Sequence, residues 1–264
     1  MALTDKLIAI ANAIRAKTGK TDGLTLDQMP TEIESIQSGG GGEVDYSSED
    51  SLVMGTVTDY TNDRVASVGN YAFYSLGIKT ARFPNVTSIG TQAFKACKSL
   101  TEIHAPKVTT IAGEAFSNCT VLAAVDFPLL ETATQNYNFT GCSKLAEVVF
   151  PSYVGNIQRC MFQSCTSLQK AVFGSTGFTN SGYIDQQAFD NCQVLDTLVL
   201  ASSEVYTLNN VNAFGKTPFA SGGTGGTVYV PQALIASYQT ATNWSVLYEA
   251  GSCEFIAIEG SEYE

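Results

Sequence analysis

Val86 to Lys107 reads VTSIGTQAFKACKSLTEIHAPK, and Val108 to Leu129 restates it as VTTIAGEAFSNCTVLAAVDFPL. Working outward, Leu130 to Tyr153 and Val154 to Gly177 follow the same plan, and Val65 to Asn85 stands before them. A stretched copy, Phe178 to Glu204, and a degenerate one from Val205 come after. One position is Phe throughout: Phe73, Phe94, Phe116, Phe139, Phe162, Phe189 and Phe214, at intervals of 21, 22, 23, 23, 27 and 25 residues. A Cys follows three residues later in five copies (Cys97, Cys119, Cys142, Cys165, Cys192). A Leu follows three further on (Leu100, Leu122, Leu145, Leu168, Leu195).

A unit of this size cannot bury its own apolar positions, but stacked copies set Phe on Phe and Leu on Leu in a continuous core. Leu100-Thr-Glu-Ile103-His-Ala105 alternates as a half-buried strand does. Ala-Phe-x-x-Cys suits a single helical turn, with Ala and Cys four apart on one face. The expected fold is an α+β repeat solenoid of about seven coils, which at the strand spacing makes a slab roughly 34 Å long.

The phrase I-G-x-x-A-F-x-x-C-x-x-L-x-x-I-x-x-P, carried by Ile89 to Pro106, resembles the BspA-like leucine-rich repeats of bacteria, their phages and some protists. The resemblance covers about residues 65 to 230 and implies a leucine-rich-repeat stack used in adhesion or recognition. Departures are Tyr137 and Met161 in place of the small Ala, an insertion at Tyr183 to Gln187, and a last copy without its Cys and Leu. Local irregularity is expected there.

The ends differ from the middle. In residues 1–36, Thr4 suits a helix N-cap and Gly19 a helix stop, and Leu3, Leu7, Ile10 and Ile14 fall on one stripe. Residues 37–50 include Gly39 to Gly42, a flexible linker. So short a helical segment needs a partner for its stripe. Its wording, LTDKLIAIANAIRAKTGKTDGLTLDQMPTEIESI, is similar to an N-terminal module of tail-associated proteins in phages and prophages of Gram-positive bacteria. That implies attachment to other tail proteins or homo-oligomerisation, a trimer being compatible with the stripe. Residues 51–226 are assigned to the solenoid. Residues 227–264, with Leu234, Tyr238, Leu247 and the single Trp244, are assigned to a C-terminal cap over the last open coil.

Chemistry-bearing patterns are sparse. The only histidine, His104, sits at an outward strand position with no matching nucleophile. Cys160 and Cys165 lie close in sequence, but no second pair completes a zinc site. The cysteine ladder reads as free, small, buried residues. No cofactor, metal site or catalytic pair is assigned, and no enzyme is expected. A net charge of −11, with 14 basic against 25 acidic residues, argues against nucleic acid. No run approaches the about 18–20 apolar residues of a membrane span. Met1 to Lys17, interrupted by Asp5 and Arg15, does not read as a secretory signal, so synthesis in the host cytoplasm is expected.

What remains is the outward strand face. Its expected residues are Lys79, Thr80 and Arg82; Thr101, Glu102 and His104; Ala123, Ala124 and Asp126; Ala146, Glu147 and Val149; Gln169, Lys170 and Val172; Asp196, Thr197 and Val199. Arg82, Glu102, His104, Asp126, Glu147, Val149, Lys170, Val172 and Asp196 are the candidate partner-binding set. The loops Ser175 to Tyr183 and Ser221 to Thr227 are further candidates. The two resemblances together imply a phage tail protein that meets a host cell-surface glycan or protein and resides in the virion tail. A bacterial surface adhesin and a purely structural virion protein are the alternatives.

Overall fold

A computed structural model of the chain describes residues 58–175 and 182–264. Leu3, Leu7, Ile10, Ile14 and the glycine linker lie outside the described residues, as do positions 176–181 of the loop between Ser175 and Tyr183.

Each repeat crosses two layers of short parallel strands, numbered here in chain order. The first layer holds β1 (Asp59–Thr61), β3 (Thr80–Arg82), β5 (Glu102–His104), β7 (Ala124–Asp126), β9 (Glu147–Phe150), β10 (Lys170–Gly174), β12 (Thr197–Ala201), β14 (Gly226–Val230) and β15 (Cys253–Ala257). The second holds β2 (Ser67–Val68), β4 (Ser88–Ile89), β6 (Thr110–Ile111) and β8 (Thr132–Ala133), then the pair β11 (Tyr183–Ile184) and β13 (Thr207–Leu208). Pairing is in register: Ala81 opposes Ile103, which opposes Val125. The result is a leucine-rich-repeat β-solenoid. Among the described residues it has nine rungs on the first layer against the seven coils expected. The two extra are β1, ahead of the first full repeat, and β15, at the end of the cap.

The core is columnar. Phe73, Phe94, Phe116, Phe139, Phe162, Phe189 and Phe214 stack ring on ring at 4.9 to 5.5 Å, with interplanar angles of 7° or less. This spacing is close to the strand separation, so one geometry serves backbone pairing and side-chain stacking. Leu100, Leu122, Leu145, Leu168 and Leu195 form a second column, each fully buried.

The Ala-Phe-x-x-Cys segments are not helical turns. Each is a run of tight turns holding two left-handed residues four apart: Gln92 and Ala96, Glu114 and Asn118, Cys160 and Ser164, Gln187 and Asn191. Tyr137 is paired in this way with Gly141, where glycine fits the positive φ of 75°. The reason lies in where the backbone hydrogen bonds go. Phe94 N–H donates to Ala115 C=O, and Phe116 N–H to Asn138 C=O, each at 2.8 Å. The intervening N–H groups bond within their own turn, as Lys95 does to Gln92 C=O at 3.2 Å. Every second donor thus points along the stack, which a helix cannot arrange.

This register also corrects the placing of Tyr137. The residue ahead of Phe139 is Asn138, fully buried, whose Nδ2 donates to Ala112 C=O at 2.8 Å and Thr134 C=O at 3.3 Å. Met161 is buried with it, and the Phe139–Phe162 rings remain parallel at 5.4 Å. The irregularity expected here is absorbed without breaking the column.

The cap runs from β14 through α1 (Ile235–Thr240) and α2 (Trp244–Glu249) to β15. Trp244 is buried 5.8 Å from Phe214, and its Nε1 donates to Tyr206 C=O at 2.7 Å. It closes the Phe column, while β14 and β15 extend the strand layer.

Candidate binding face

Alternation along each first-layer strand sends one set of side chains into the core and the other outward. In parallel register the outward residues form two rows. One runs Asp59, Thr80, Glu102, Ala124, then Glu147, Lys170, Thr197, Thr227 and Glu254. The other runs Thr61, Arg82, His104, Asp126, then Val149, Val172, Val199, Tyr229 and Ile256.

Charges on these rows are paired between neighbouring coils. Arg82 Nη2 meets Glu102 Oε1 at 3.0 Å, and Lys170 Nζ meets Glu147 Oε1 at 2.8 Å. His104 Nδ1 meets Asp126 Oδ2. Thr80 donates to Asp59 at 2.6 Å, and hydrogen bonds from Thr80 and Thr58 hold the Asp59 carboxyl below its usual range. Asp196 is exposed and accepts from the Thr197 hydroxyl at 2.9 Å. The candidate charges from Arg82 to Lys170 therefore form three separate pairs, Arg82–Glu102, His104–Asp126 and Glu147–Lys170, each joining two neighbouring coils.

The far end of this face is covered. Val199 was expected to point to solvent, yet it is 1% exposed and packs with Ala201 and Ile258. Val172 is half-buried in the same cluster beside Tyr229 and Tyr263. The cause is the chain end. Tyr263 meets Tyr229 edge-on at 4.7 Å and lies under Lys170 Nζ at 5.7 Å. The covering residues follow β15 (Cys253–Ala257), which is itself a rung of the layer, and lie in the bends and turns of the chain end.

The open part centres on β7 and β9. There the layer divides into two sheets, β1-β3-β5-β7 and β15-β14-β12-β10-β9. A shallow depression lies along the division. Its lining includes Ala123, Ala124, Ala146, Val149, Pro128 and Pro151, with Asp126 and Glu147 as its charged residues. Leu129, which follows Pro128, is 47% exposed. Pro128, Pro151 and Leu129 were not singled out from the sequence, since a loop proline reads there only as a strand stop.

The cysteines belong to the framework. The thiol of each ladder cysteine reaches the Phe carbonyl of the preceding coil, Cys97 to Phe73 at 2.8 Å through Cys192 to Phe162 at 3.1 Å. All seven cysteines are free and buried, and burial pushes the Cys97 and Cys142 thiols up to about 12. Thiolate chemistry is thereby suppressed at neutral pH. Among the described residues no three His, Cys, Asp or Glu side chains gather as a metal site, and no helix is long and apolar enough to cross a membrane.

In-register parallel coils with stacked Phe and Leu columns define a leucine-rich-repeat protein. The repeats belong to the BspA-type leucine-rich-repeat family: six copies of the BspA type leucine-rich repeat region match residues 66–196. None of the curated proteins matches the chain. A leucine-rich-repeat protein of T. pallidum is 21% identical with a TM-score of 0.48, over 76% of this chain and 87% of that one. A leucine-rich cell surface protein of Faecalibacterium prausnitzii A2-165 is 17% identical with a TM-score of 0.41, over 67% of this chain and 64% of that one. A leucine-rich-repeat protein of Eubacterium ventriosum is 18% identical with a TM-score of 0.42, over 52% of this chain and 36% of that one.

Proposed function

We propose that the chain is a non-enzymatic recognition protein associated with a phage or prophage tail. It meets a host-cell surface through the open part of its strand face and is attached through residues 1–36. The observation that carries the recognition role is the exposed strip from Arg82 to Lys170 on a BspA-type stack, interrupted by one apolar depression. The tail assignment rests on the resemblance of the N-terminal segment. Residues Leu3, Leu7, Ile10 and Ile14 would supply the contact with other tail proteins or with further copies of the chain.

The test is binding of the fluorescently labelled full chain to cells of its host strain, with antibody labelling of intact particles. Saturable cell binding that falls when Glu102 and Asp126 are both changed to Arg, with label at the particle tail, is the expected result. Cell binding indifferent to that pair would refute the strand-face assignment. The BspA-type repeats support a bacterial surface adhesin equally well. Label on bacterial envelopes and none on particles would establish that second reading in place of the first.

A further inference from the structure

The outward row of the first layer changes character at β9. Its early rungs carry Thr61, Arg82, His104 and Asp126, whereas Val149, Val172, Val199, Tyr229 and Ile256 follow in register on β9, β10, β12, β14 and β15. Four steps at the strand spacing make this apolar row about 19 Å long. Its ends are open, with Val149 45% and Ile256 38% exposed, while Val199 in its middle is covered.

The cover is lightly fastened. Residues 258–264 lie in bends and turns beyond β15. Ile258 N–H still donates to Val230 C=O at 3.0 Å, and the Glu259 carboxylate accepts from Gln232 N–H at 2.8 Å. Past Glu259 the hydrogen bonds close on the segment itself. Ser261 N–H donates to Ile258 C=O at 2.9 Å, Tyr263 N–H to Ser261 Oγ at 3.1 Å and Gly260 N–H to Glu264 Oε2 at 2.9 Å. Among the described residues, no hydrogen bond from 260–264 reaches a residue before Ile258. The attachment there is the half-buried Tyr263 side chain, packed on the Val199 cluster, edge-on to Tyr229 and beneath Lys170 Nζ. A segment with so few buried contacts opens at far lower cost than the stacked coils. Gly260, where the stretch begins, has a positive φ of 81°, and nothing lies within 4 Å of where a Cβ would stand. The backbone can swing there without a clash.

We infer that residues 260–264 are a strap that docks reversibly on the apolar row, hinged at Gly260, and that its release joins Val172, Val199 and Tyr229 to the exposed Val149 and Ile256 in one surface. While docked, the strap occupies the place of any apolar group that would lie across β10, β12 and β14, so the resting chain keeps this part of the face closed. The inference goes beyond the recognition reading and does not depend on it, because the opening is read with no ligand present.

The experiment places a new thiol under the strap. Val199→Cys in the full chain adds one cysteine to seven that are free and buried, and its reaction with a disulfide reagent is followed in native buffer against theirs. The introduced thiol is expected to react at least about tenfold faster than the native seven. Adding Tyr263→Ala should raise its rate about tenfold further. Adding Gly260→Ala, which removes no contact and strains only the docked backbone, should raise it about fivefold. Reaction of the introduced thiol only in step with the native seven would overturn the inference, because the segment would then belong to the cooperative fold. A rate indifferent to Tyr263→Ala, or to Gly260→Ala, would overturn it as well, because the cover or the hinge would then lie elsewhere. Gly260→Ala alone reads the same opening without the new thiol: increased binding of an apolar dye is expected, and unchanged binding would overturn the strap.

Discussion

Replacing Phe116 by Ala tests whether the Phe column is the spine of the fold. Phe116 has no exposure and lies between parallel rings at 5.3 Å (Phe94) and 5.2 Å (Phe139), with Phe127 tilted against it at 5.7 Å. Removing a buried Phe side chain costs about 3–5 kcal/mol in transfer and cavity terms. Of this, the two stacked pairs account for about 1–3 kcal/mol, at 0.5–1.5 kcal/mol each. Collapse around the cavity is hindered, because the rungs on either side are fixed by lateral hydrogen bonds at Phe94 and Phe116 themselves. The upper half of the range is therefore expected. In a stack whose coils touch only their neighbours, a mid-stack defect also weakens the coupling between the two halves. Urea unfolding followed by circular dichroism should give a lower midpoint and a shallower or two-step transition. Leu129→Ala, at a 47% exposed site, is the control and should move stability by about 0.5 kcal/mol or less. A loss below about 1 kcal/mol for Phe116→Ala, with one unchanged transition, would refute the column as the source of cooperativity.

Three further outcomes follow from the same geometry. The Lys95 ammonium beside Glu114, together with the Gln92 hydrogen bond, holds the Glu114 carboxyl below its ordinary 4.5. A lowered carboxyl adds stability above its unfolded value and loses it as pH falls through the folded value, so Glu114→Gln should cost about 0.5–1 kcal/mol at pH 7 and nothing near pH 2 in a melting series. All seven thiols should resist a disulfide reagent in the native chain at pH 8 and react together only after unfolding, and rapid modification of Cys119 or Cys142 in the folded state would contradict their burial. Tyr263→Ala removes the edge-on contact with Tyr229 and the Lys170 cation, and should cost about 1–2 kcal/mol while raising binding of an apolar dye as Val199 is uncovered.

Identity repeated at a fixed position is what made the core readable. A Phe that recurs seven times, with Leu six residues later in five copies, leaves one stacking solution, and the described residues form it. The turn segments were unreadable for a specific reason. Spacing of four between Ala and Cys is shared by a helix face and by a turn that repeats its left-handed residue after four. What separates them is the destination of the N–H groups, and that is set by the neighbouring coil. The strand face was legible from Arg82 to Lys170, where alternation alone fixes direction. It failed at Val199, whose burial depends on Ile258, a residue 59 positions away with no repeat to announce it. The depression was half legible: Ala123, Ala124, Ala146 and Val149 read as a small apolar patch. The break in pairing that opens it has no counterpart in composition.

The pairing of charges along the face bears on what these residues are for. Arg82–Glu102 and Lys170–Glu147 join neighbouring coils at the surface, where such pairs contribute about 0–1 kcal/mol. The Phe and Leu columns already fix the register, so the fold does not need them. Mutual compensation does have a consequence for binding. A ligand that approaches the strip meets charges already satisfied, and must displace a partner to use them. The depression between β7 and β9 is different, since its lining includes three exposed alanines and the lateral hydrogen bond from Ala146 to Ala123 is missing among the described residues. Substitutions in the charged strip should therefore tune association rate and salt dependence, while substitutions at Ala124 and Ala146 should decide whether a partner is held at all.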